Sequence, residues 1–239
     1  MSASRQKRFW TTTAVAEAAE GFAIELDQRR IKTPAKAALL LPTRAMADAV
    51  AAEWDAQQDE IDPLSMPVTR SANAAIDKVR HQHAEVADML AAYGDTDLLC
   101  YRAEAPAELV ARQSEHWDPV LDWAHDTFGA RLIPCSGVIH QPQAADALAR
   151  LRDRVHEMTD FELAAFHDLV SLSGSLVLGF AAAERWRGAE EIWQLSRLDE
   201  TWQEEQWGVD DEARHQADVR RDAFLHARRF MDLCQTPML

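Results

Sequence analysis

The chain has 239 residues, of which 47% are apolar and 27% charged, a composition that excludes a disordered, fibrous or disulfide-framed protein. Its 25 Lys and Arg side chains against 40 Asp and Glu side chains leave a formal net charge of -15. That charge argues against sequence-independent binding to nucleic acid and against docking on anionic lipid, and it favours basic partner surfaces.

Three further features bear on location. The cysteines, Cys100, Cys135 and Cys234, are far apart and odd in number, so they predict a reducing compartment rather than disulfides or a paired metal motif. The first sixteen residues lack the apolar run of a secretory signal. The longest uncharged stretch, 169–183, is too short to span a bilayer, so we expect no membrane insertion.

Strand patterns dominate residues 8 to about 41. Phe22, Ile24 and Leu26 alternate with smaller or charged residues, which places three apolar side chains on one face of a strand. A turn at 27–29 without glycine leads into a return strand, and a short apolar strand follows at 38–41.

A helix is predicted after these strands, with Thr43 as its N-cap and its end near residue 58. Met46, Val50 and Trp54 recur every four residues and share one face, so we expect Trp54 to pack in the core under the sheet.

Helical patterns dominate from residue 69 onward. The sequence therefore predicts an α+β fold, with a small strand-rich N-terminal domain over 1–68 that contains one helix and a larger all-helical C-terminal domain over 69–239. Asn73 and Asp77 lie one turn apart near the end of the first helix of that second domain, where they predict a helix-end hydrogen-bond network.

Four signals organise the rest of the second domain. Asp118-Pro119 is typical of an N-cap followed by proline at the first helical position, so a helix is expected to restart there. Residues 131–140 are the one late segment with an extended pattern. The stretch Thr159 to Glu162 has the form of a capping box. The helix after it, from Phe161 to Phe180, is apolar almost all round and is expected at the buried centre, followed by helices over about 188–207 and 210–232.

Motifs for catalysis are sparse. The chain has no glycine-rich phosphate loop, no zinc-protease helix and no nucleophile elbow, and the pattern His81-x-His83 with Glu85 lacks an obvious third and fourth metal ligand. We therefore expect no cofactor, no metal and no enzymatic activity. The alternative that stays open is a hydrolase that uses a histidine, His83, His167 or His215, with a nearby carboxylate.

One segment is unusually rich in both acids and tryptophan. Ten acidic residues lie between Glu184 and Glu212, opposed by three arginines, and the same segment holds four of the eight tryptophans. If 188–207 is one helix, Ile192, Leu195, Leu198 and Trp202 form its core seam. The opposite face then carries four other residues, namely Trp193, Glu200, Glu204 and Trp207. Tryptophan off the core seam is typical either of a second layer of packing inside the same protein or of an exposed partner surface.

A set of short motifs, in order along most of the chain, resembles the assembly chaperone family for the alpha subunit of the catalytic sector of F-type ATP synthase. The first group runs from Leu26 to Asp77, and its members are Leu26-Asp27, Lys32-Thr33-Pro34, Leu41-Pro42-Thr43, Glu53-Trp54-Asp55-x-Gln57, Met66-Pro67-x-Thr69-Arg70 and Asn73-x-x-x-Asp77. The second group lies downstream, and its members are Trp117-x-Pro119, Trp123, Ser196-Arg197-Leu198, Trp202-Gln203 and Trp207-Gly208.

The resemblance implies a non-enzymatic chaperone without a nucleotide of its own, which holds the free alpha subunit until the catalytic hexamer forms. It also implies that acidic residues beside the Ser-Arg-Leu motif, here Asp199 and Glu200, are important for binding. Eukaryotic members of the family are mitochondrial. Because this sequence shows no convincing transit peptide, the expected location is the bacterial cytoplasm, or the mitochondrial matrix if a transit peptide has been removed. A transient chaperone of this kind is expected to be a monomer when free, whereas a subunit of a stable assembly would not be.

Overall fold

The computed structural model describes residues 7–235, so residues 1–6 of the N-terminal segment and residues 236–239 lie outside the described part. The strands within that part are β1 (Thr13–Ala18), β2 (Gly21–Leu26), β3 (Arg29–Arg30), β4 (Leu40–Leu41), β5 (Tyr101–Arg102) and β6 (Cys135–Ser136). The α-helices are α1 (Arg44–Asp55), α2 (Pro67–Asp77), α3 (His83–Ala91), α4 (Ala107–Phe128), α5 (Ala145–His156), α6 (Asp160–Ser173), α7 (Leu176–Ala183), α8 (Ala189–Ser196), α9 (Leu198–Trp207) and α10 (Asp211–Cys234). A strand-containing N-terminal region followed by a larger helical part confirms the predicted α+β class. No helix among the described residues is both long enough and apolar enough to cross a bilayer.

The N-terminal sheet is antiparallel and is centred on β2. This strand pairs with β1 along its whole length, with Val15 opposite Ile24, and also with β3 and β4. Ile24 and Leu26 are fully buried, as the alternating pattern predicts. The helix α1 packs against β1 and β2 and covers the apolar side of this sheet.

The turn between β2 and β3 forms without glycine. Asp27 and Gln28 both adopt left-handed backbone conformations, with φ of 46° and 67°. The Asp27 carboxylate accepts hydrogen bonds from the backbone N–H groups of Thr12 and Thr11 at 2.9 to 3.2 Å. Those bonds, with Thr12 contributing most, lower the pKa of Asp27 to about 2.

Polar side chains hold the ends of α1 and α2. The Thr43 hydroxyl accepts the Met46 N–H at 3.1 Å, which confirms the predicted N-cap of α1. The Glu53 carboxylate, near the end of α1, accepts the backbone N–H groups of Val68 and Thr69 at 2.7 and 2.8 Å. A carboxylate at the positive end of a helix is favourable, so Glu53 joins the two helices.

Two predicted helix boundaries in the second part of the chain are wrong. The helix α4 runs without interruption from 107 to 128 and carries Pro119 in its interior, because the Asp118 carboxylate accepts a hydrogen bond from Arg102 at 2.7 Å instead of capping a new helix. The apolar segment after the capping box is two helices, since Gly174 at φ +72° ends α6 and the Ser175 hydroxyl accepts the Leu178 N–H to begin α7.

A buried carboxylate stabilises the junction between α6 and α7. Asp97 is fully buried and accepts hydrogen bonds from the Ser175 hydroxyl at 2.7 Å and from the Val177 N–H at 3.0 Å. The capping box itself is confirmed, because the Glu162 carboxylate accepts the Thr159 N–H at 2.9 Å and the Thr159 hydroxyl accepts the Glu162 N–H at 3.3 Å.

The described residues group into two compact units. The first takes in the residues up to Gln82 together with Thr159–Ala164 and those from Arg229 onward, and the second takes in His83–Met158 and Ala165–Arg228. Compactness does not establish which segments fold independently, so the division into domains 1–68 and 69–239 stays a prediction.

Candidate functional site

The acidic, tryptophan-rich segment is not the single helix that its pattern predicts. It forms α8 and α9, which meet at Arg197, where the backbone leaves the helical region with φ -106° and ψ 11°. The carbonyl oxygen of Leu195 accepts a hydrogen bond at 2.9 Å from the indole N–H of Trp117, which lies on α4. Because the break shifts the angular phase between the two helices, faces calculated for one continuous helix do not apply across it.

Trp193 is buried although it lies off the predicted core seam, because α10 packs against this side of α8. It is only 3% exposed, and its ring lies 5.7 Å from that of Phe224 on α10. The expectation that Trp193 belongs to an exposed partner surface is therefore wrong for the folded chain, and packing within the same protein describes this residue.

Trp207, unlike Trp193, lies at the surface. It ends α9 and is 79% exposed, and Val209, two residues further on, is 43% exposed. Gly208 between them has φ +90°, a conformation that residues with a side chain rarely adopt, so the short link to α10 presents both apolar side chains at the surface. An exposed indole is typical of a contact residue for another protein.

Two carboxylates share the exposed side of α9 with Trp207. Glu200 and Glu204 lie one turn apart, and their side chains are 48% and 32% exposed. Both contact the guanidinium of Arg197, at 3.0 and 3.5 Å respectively. One arginine offsets one of the two charges, so this surface, called the acidic face below and defined by Glu200, Glu204 and Trp207, keeps negative charge.

Asp199 occupies a different side of α9. Its carboxylate accepts a hydrogen bond at 2.7 Å from the side-chain amide of Gln113 on α4, which is only 1% exposed. The amide oxygen of Gln113 in turn accepts the backbone N–H of Ala103 at 2.8 Å. Asp199 therefore orients a buried glutamine that holds the chain immediately after β5, and its role in partner binding stays a prediction.

The start of α10 extends the negative charge beyond the acidic face. Asp210 accepts the backbone N–H groups of Glu212 and Ala213 at 2.9 and 3.2 Å and so caps the helix. Asp211 and Glu212 follow in its first turn, and almost every side chain over residues 211–222 is exposed.

Three residues predicted to be structural lie in the first unit. Trp54 is half-buried and stacks at 5.3 Å against Trp10, which is itself 3% exposed. Asp77 accepts the Thr33 hydroxyl at 2.5 Å and the Ala35 N–H at 3.0 Å, so its network links the end of α2 to the loop after β3. The buried Oδ1 of Asn73 lacks a hydrogen-bond partner among the described residues. Their structural roles stay predictions.

The structure also shows the surroundings of the residues considered for a metal site or a catalytic site. Over residues 7–235, no group of three or more His, Cys, Asp and Glu side chains could hold a metal ion. His83 contacts the carbonyl oxygen of Met158 at 2.8 Å. His167 contacts the carboxylate of its neighbour Asp168 at 2.9 Å, which raises the pKa of the histidine. Burial raises the pKa of the Cys100 thiol well above its ordinary value, which disfavours a nucleophilic role.

Sequence patterns did not reveal the residues of α4 that support this site. Gln113 bonds Asp199, and Arg112 forms an ion pair with Glu205 at 2.8 Å while it lies over the ring of Trp202 at 4.8 Å. These partners are about 90 positions apart along the chain. The one signal in the sequence was that Arg112 and Gln113 lie on the same helix as the Trp117 motif.

Taken with the α+β fold, a half-exposed carboxylate pair beside an exposed indole defines a surface suited to binding another protein. A family model for the ATP12 chaperone protein matches residues 7–125. The chain is 47% identical to Atp12 of Paracoccus denitrificans, whose crystal structure superposes with a TM-score of 0.94 and covers 96% of this chain and 98% of that one. An aspartate-to-lysine variant of the same protein matches equally well.

Two further relatives extend the comparison. The crystal structure of the Atu1473 protein of Agrobacterium tumefaciens is 42% identical, with a TM-score of 0.90 and coverage of 96% of this chain and 86% of that one. The mitochondrial protein atp12 of Schizosaccharomyces pombe is 27% identical over 224 residues, which are 89% of this chain and 77% of that protein. The chain belongs to the ATP12 chaperone family, and the resemblance to ATP synthase assembly chaperones is confirmed.

Proposed function

We propose that the chain is an ATP-independent chaperone that binds the free alpha subunit of F-type ATP synthase and promotes assembly of the catalytic hexamer. It is a monomer when free and works in the bacterial cytoplasm, or in the mitochondrial matrix if a transit peptide has been removed. It performs no catalysis and uses no cofactor, because its task is to cover a surface of its client.

The acidic face of α9 is the observation that carries this proposal. Its two carboxylates are accessible, are offset by one arginine, and stand beside an indole that is 79% exposed. A large apolar ring next to uncompensated charge suits a basic protein surface with an apolar centre. It also suits release, because mixed polar and aromatic contacts bind less tightly than a large apolar patch and do not promote self-association.

The proposal is tested by reversing one charge on the acidic face. The purified Glu200→Lys variant is compared with the wild-type chain for binding to purified alpha subunit by isothermal titration calorimetry. We expect binding to weaken at least tenfold, which is about 1.4 kcal/mol, because the new lysine repels a basic partner. The melting temperature should change little, since a half-exposed ion pair contributes no more than about 1 kcal/mol.

A matched control keeps the change in net charge the same. Glu17 is exposed on β1 in the other compact unit, and Glu17→Lys should bind the alpha subunit as the wild type does. Normal binding by Glu200→Lys would remove the acidic face from the interface, and no binding by the wild-type chain would refute the function itself. Elution of the wild-type chain as a stable oligomer in size-exclusion chromatography would instead support a structural subunit.

A further inference from the structure

A groove lies in the second unit between α4, α8 and α9. Its volume is about 470 Å3, within the range of pockets that hold a ligand or a protein side chain. Leu195 and Leu198 form the apolar part of its lining, each with 6% of its surface exposed. Thr201 lines the groove from α9, so one helix carries both a wall of the groove and the acidic face.

Two ion pairs stand at the rim of this groove. Arg112 and Glu205 join α4 to α9 at 2.8 Å, and Arg187 and Glu191 form a second pair at 2.6 Å. Each cation is thus neutralised by a carboxylate within the rim itself.

The same two arginines are also engaged by aromatic rings. The guanidinium of Arg112 lies 4.8 Å from the ring centre of Trp202, and that of Arg187 lies 4.2 Å from the ring centre of Trp186. Cations that are already paired and stacked would have to give up both interactions to bind a phosphate or a carboxylate. The two arginines are therefore poorly placed to bind an anionic ligand.

Apolar lining inside a charged rim is the arrangement of an interface hot spot. In such a site a large side chain fills the pocket, and the surrounding polar contacts exclude water from it. The groove is partly open to solvent and is formed by helices, which favours a side chain delivered by a protein segment lying across it.

We propose that this groove receives a large apolar side chain of the alpha subunit, on a segment that also carries Lys or Arg residues for the acidic face. This inference rests on the proposed function and adds the contact that would anchor it. Thr201 of the groove and Glu204 of the acidic face are three residues apart on α9 and so are neighbours on its surface. A second copy of this chain is disfavoured as the occupant, because its own acidic face would meet like charge.

The groove is tested by filling it. Thr201→Trp places an indole in the groove from α9, and Gln206→Trp places the same side chain at an exposed position of the same helix that lies away from both the groove and the acidic face. Binding to purified alpha subunit is measured by isothermal titration calorimetry, with melting temperatures for each variant. We expect Thr201→Trp to weaken binding at least tenfold and Gln206→Trp to bind as the wild type does.

A second variant guards against a folding defect in Thr201→Trp. Gln194→Trp fills the groove from the exposed side of α8 and should weaken binding to the same extent. Undiminished binding by folded Thr201→Trp or Gln194→Trp would overturn the proposal, as would equal losses in Gln206→Trp, which would show that any bulk on α9 blocks the client. A wild-type chain that does not bind the alpha subunit would refute the proposed function, and the groove with it.

Discussion

Replacing Gln113 by glutamate tests whether Asp199 stabilises the fold through its hydrogen bond with Gln113. The Gln113 amide is 1% exposed and joins two groups: it donates to Asp199 at 2.7 Å and accepts from the Ala103 N–H at 2.8 Å. Gln113→Glu preserves the shape and the bond from Ala103, but it replaces the donor by a second carboxylate oxygen facing Asp199. The variant therefore removes one charge-assisted hydrogen bond and introduces like charges at bonding distance.

The expected cost follows from those two effects. A hydrogen bond to a charged group contributes about 1.5–3 kcal/mol, and a buried charge left without a partner costs about 3–5 kcal/mol. Asp199 is half-exposed, so solvent screens part of the repulsion between the two carboxylates. We therefore expect Gln113→Glu to lower the free energy of unfolding by about 3 kcal/mol. In a chain of this length that corresponds to a fall in melting temperature of roughly 6–12 °C, measurable by circular dichroism.

Adding Asp199→Asn should reverse the effect. The asparagine amide can donate to the new glutamate, so the double variant has the donor and the carboxylate exchanged and should recover at least 2 kcal/mol by urea denaturation. If Asp199 acts by positioning Gln113, the double variant should also bind the alpha subunit as the wild type does. Failure to recover stability would refute the hydrogen bond between these residues, and recovered stability without binding would show that the Asp199 carboxylate itself contacts the client.

Two predictions concern the N-terminal unit. Trp54→Arg should lower the free energy of unfolding by about 2–4 kcal/mol, because a guanidinium would replace the ring that stacks on Trp10. Trp54→Phe keeps an aromatic ring and should cost less than about 1.5 kcal/mol, and an unchanged melting temperature in Trp54→Arg would show that Trp54 is not part of the core. Asp27 contributes stability above pH 4, where its carboxylate is ionised in both states. That contribution should be lost as the pH falls from 4 through the folded pKa of about 2, so acid denaturation of Asp27→Asn should show a weaker pH dependence than that of the wild type. Identical acid profiles for the two proteins would contradict this assignment.

The parts of the fold that the sequence predicted correctly depend on local chemistry. Alternation at Ile24 and Leu26 specifies a strand with one buried face, and Thr43 caps the helix that follows it. The capping box at Thr159 and Glu162 involves residues three apart. Each of these signals is complete within one element, so no knowledge of distant residues was required.

In the candidate site, too, the correct predictions rest on local signals and the wrong one on a contact between distant residues. The concentration of acids and tryptophans drew attention to α9, and both glutamates of its acidic face are accessible as expected. The placement of Trp193 failed because α10 covers the side of α8 opposite the predicted seam, where the Trp193 ring lies 5.7 Å from that of Phe224. Periodicity within one segment cannot register packing against a helix that comes later in the chain.

The sequence by itself determined the α+β class, the N-terminal strands and the position of the acidic, tryptophan-rich segment, because alternation, capping and charge density are properties of neighbouring residues. Only the tertiary structure decided that Trp193 is buried while Trp207 is exposed, and that Asp199 bonds Gln113 whereas Glu200 faces solvent. Those outcomes depend on how α10 packs against α8 and how α4 packs against α9, and packing joins residues whose separation along the chain carries no periodic signal.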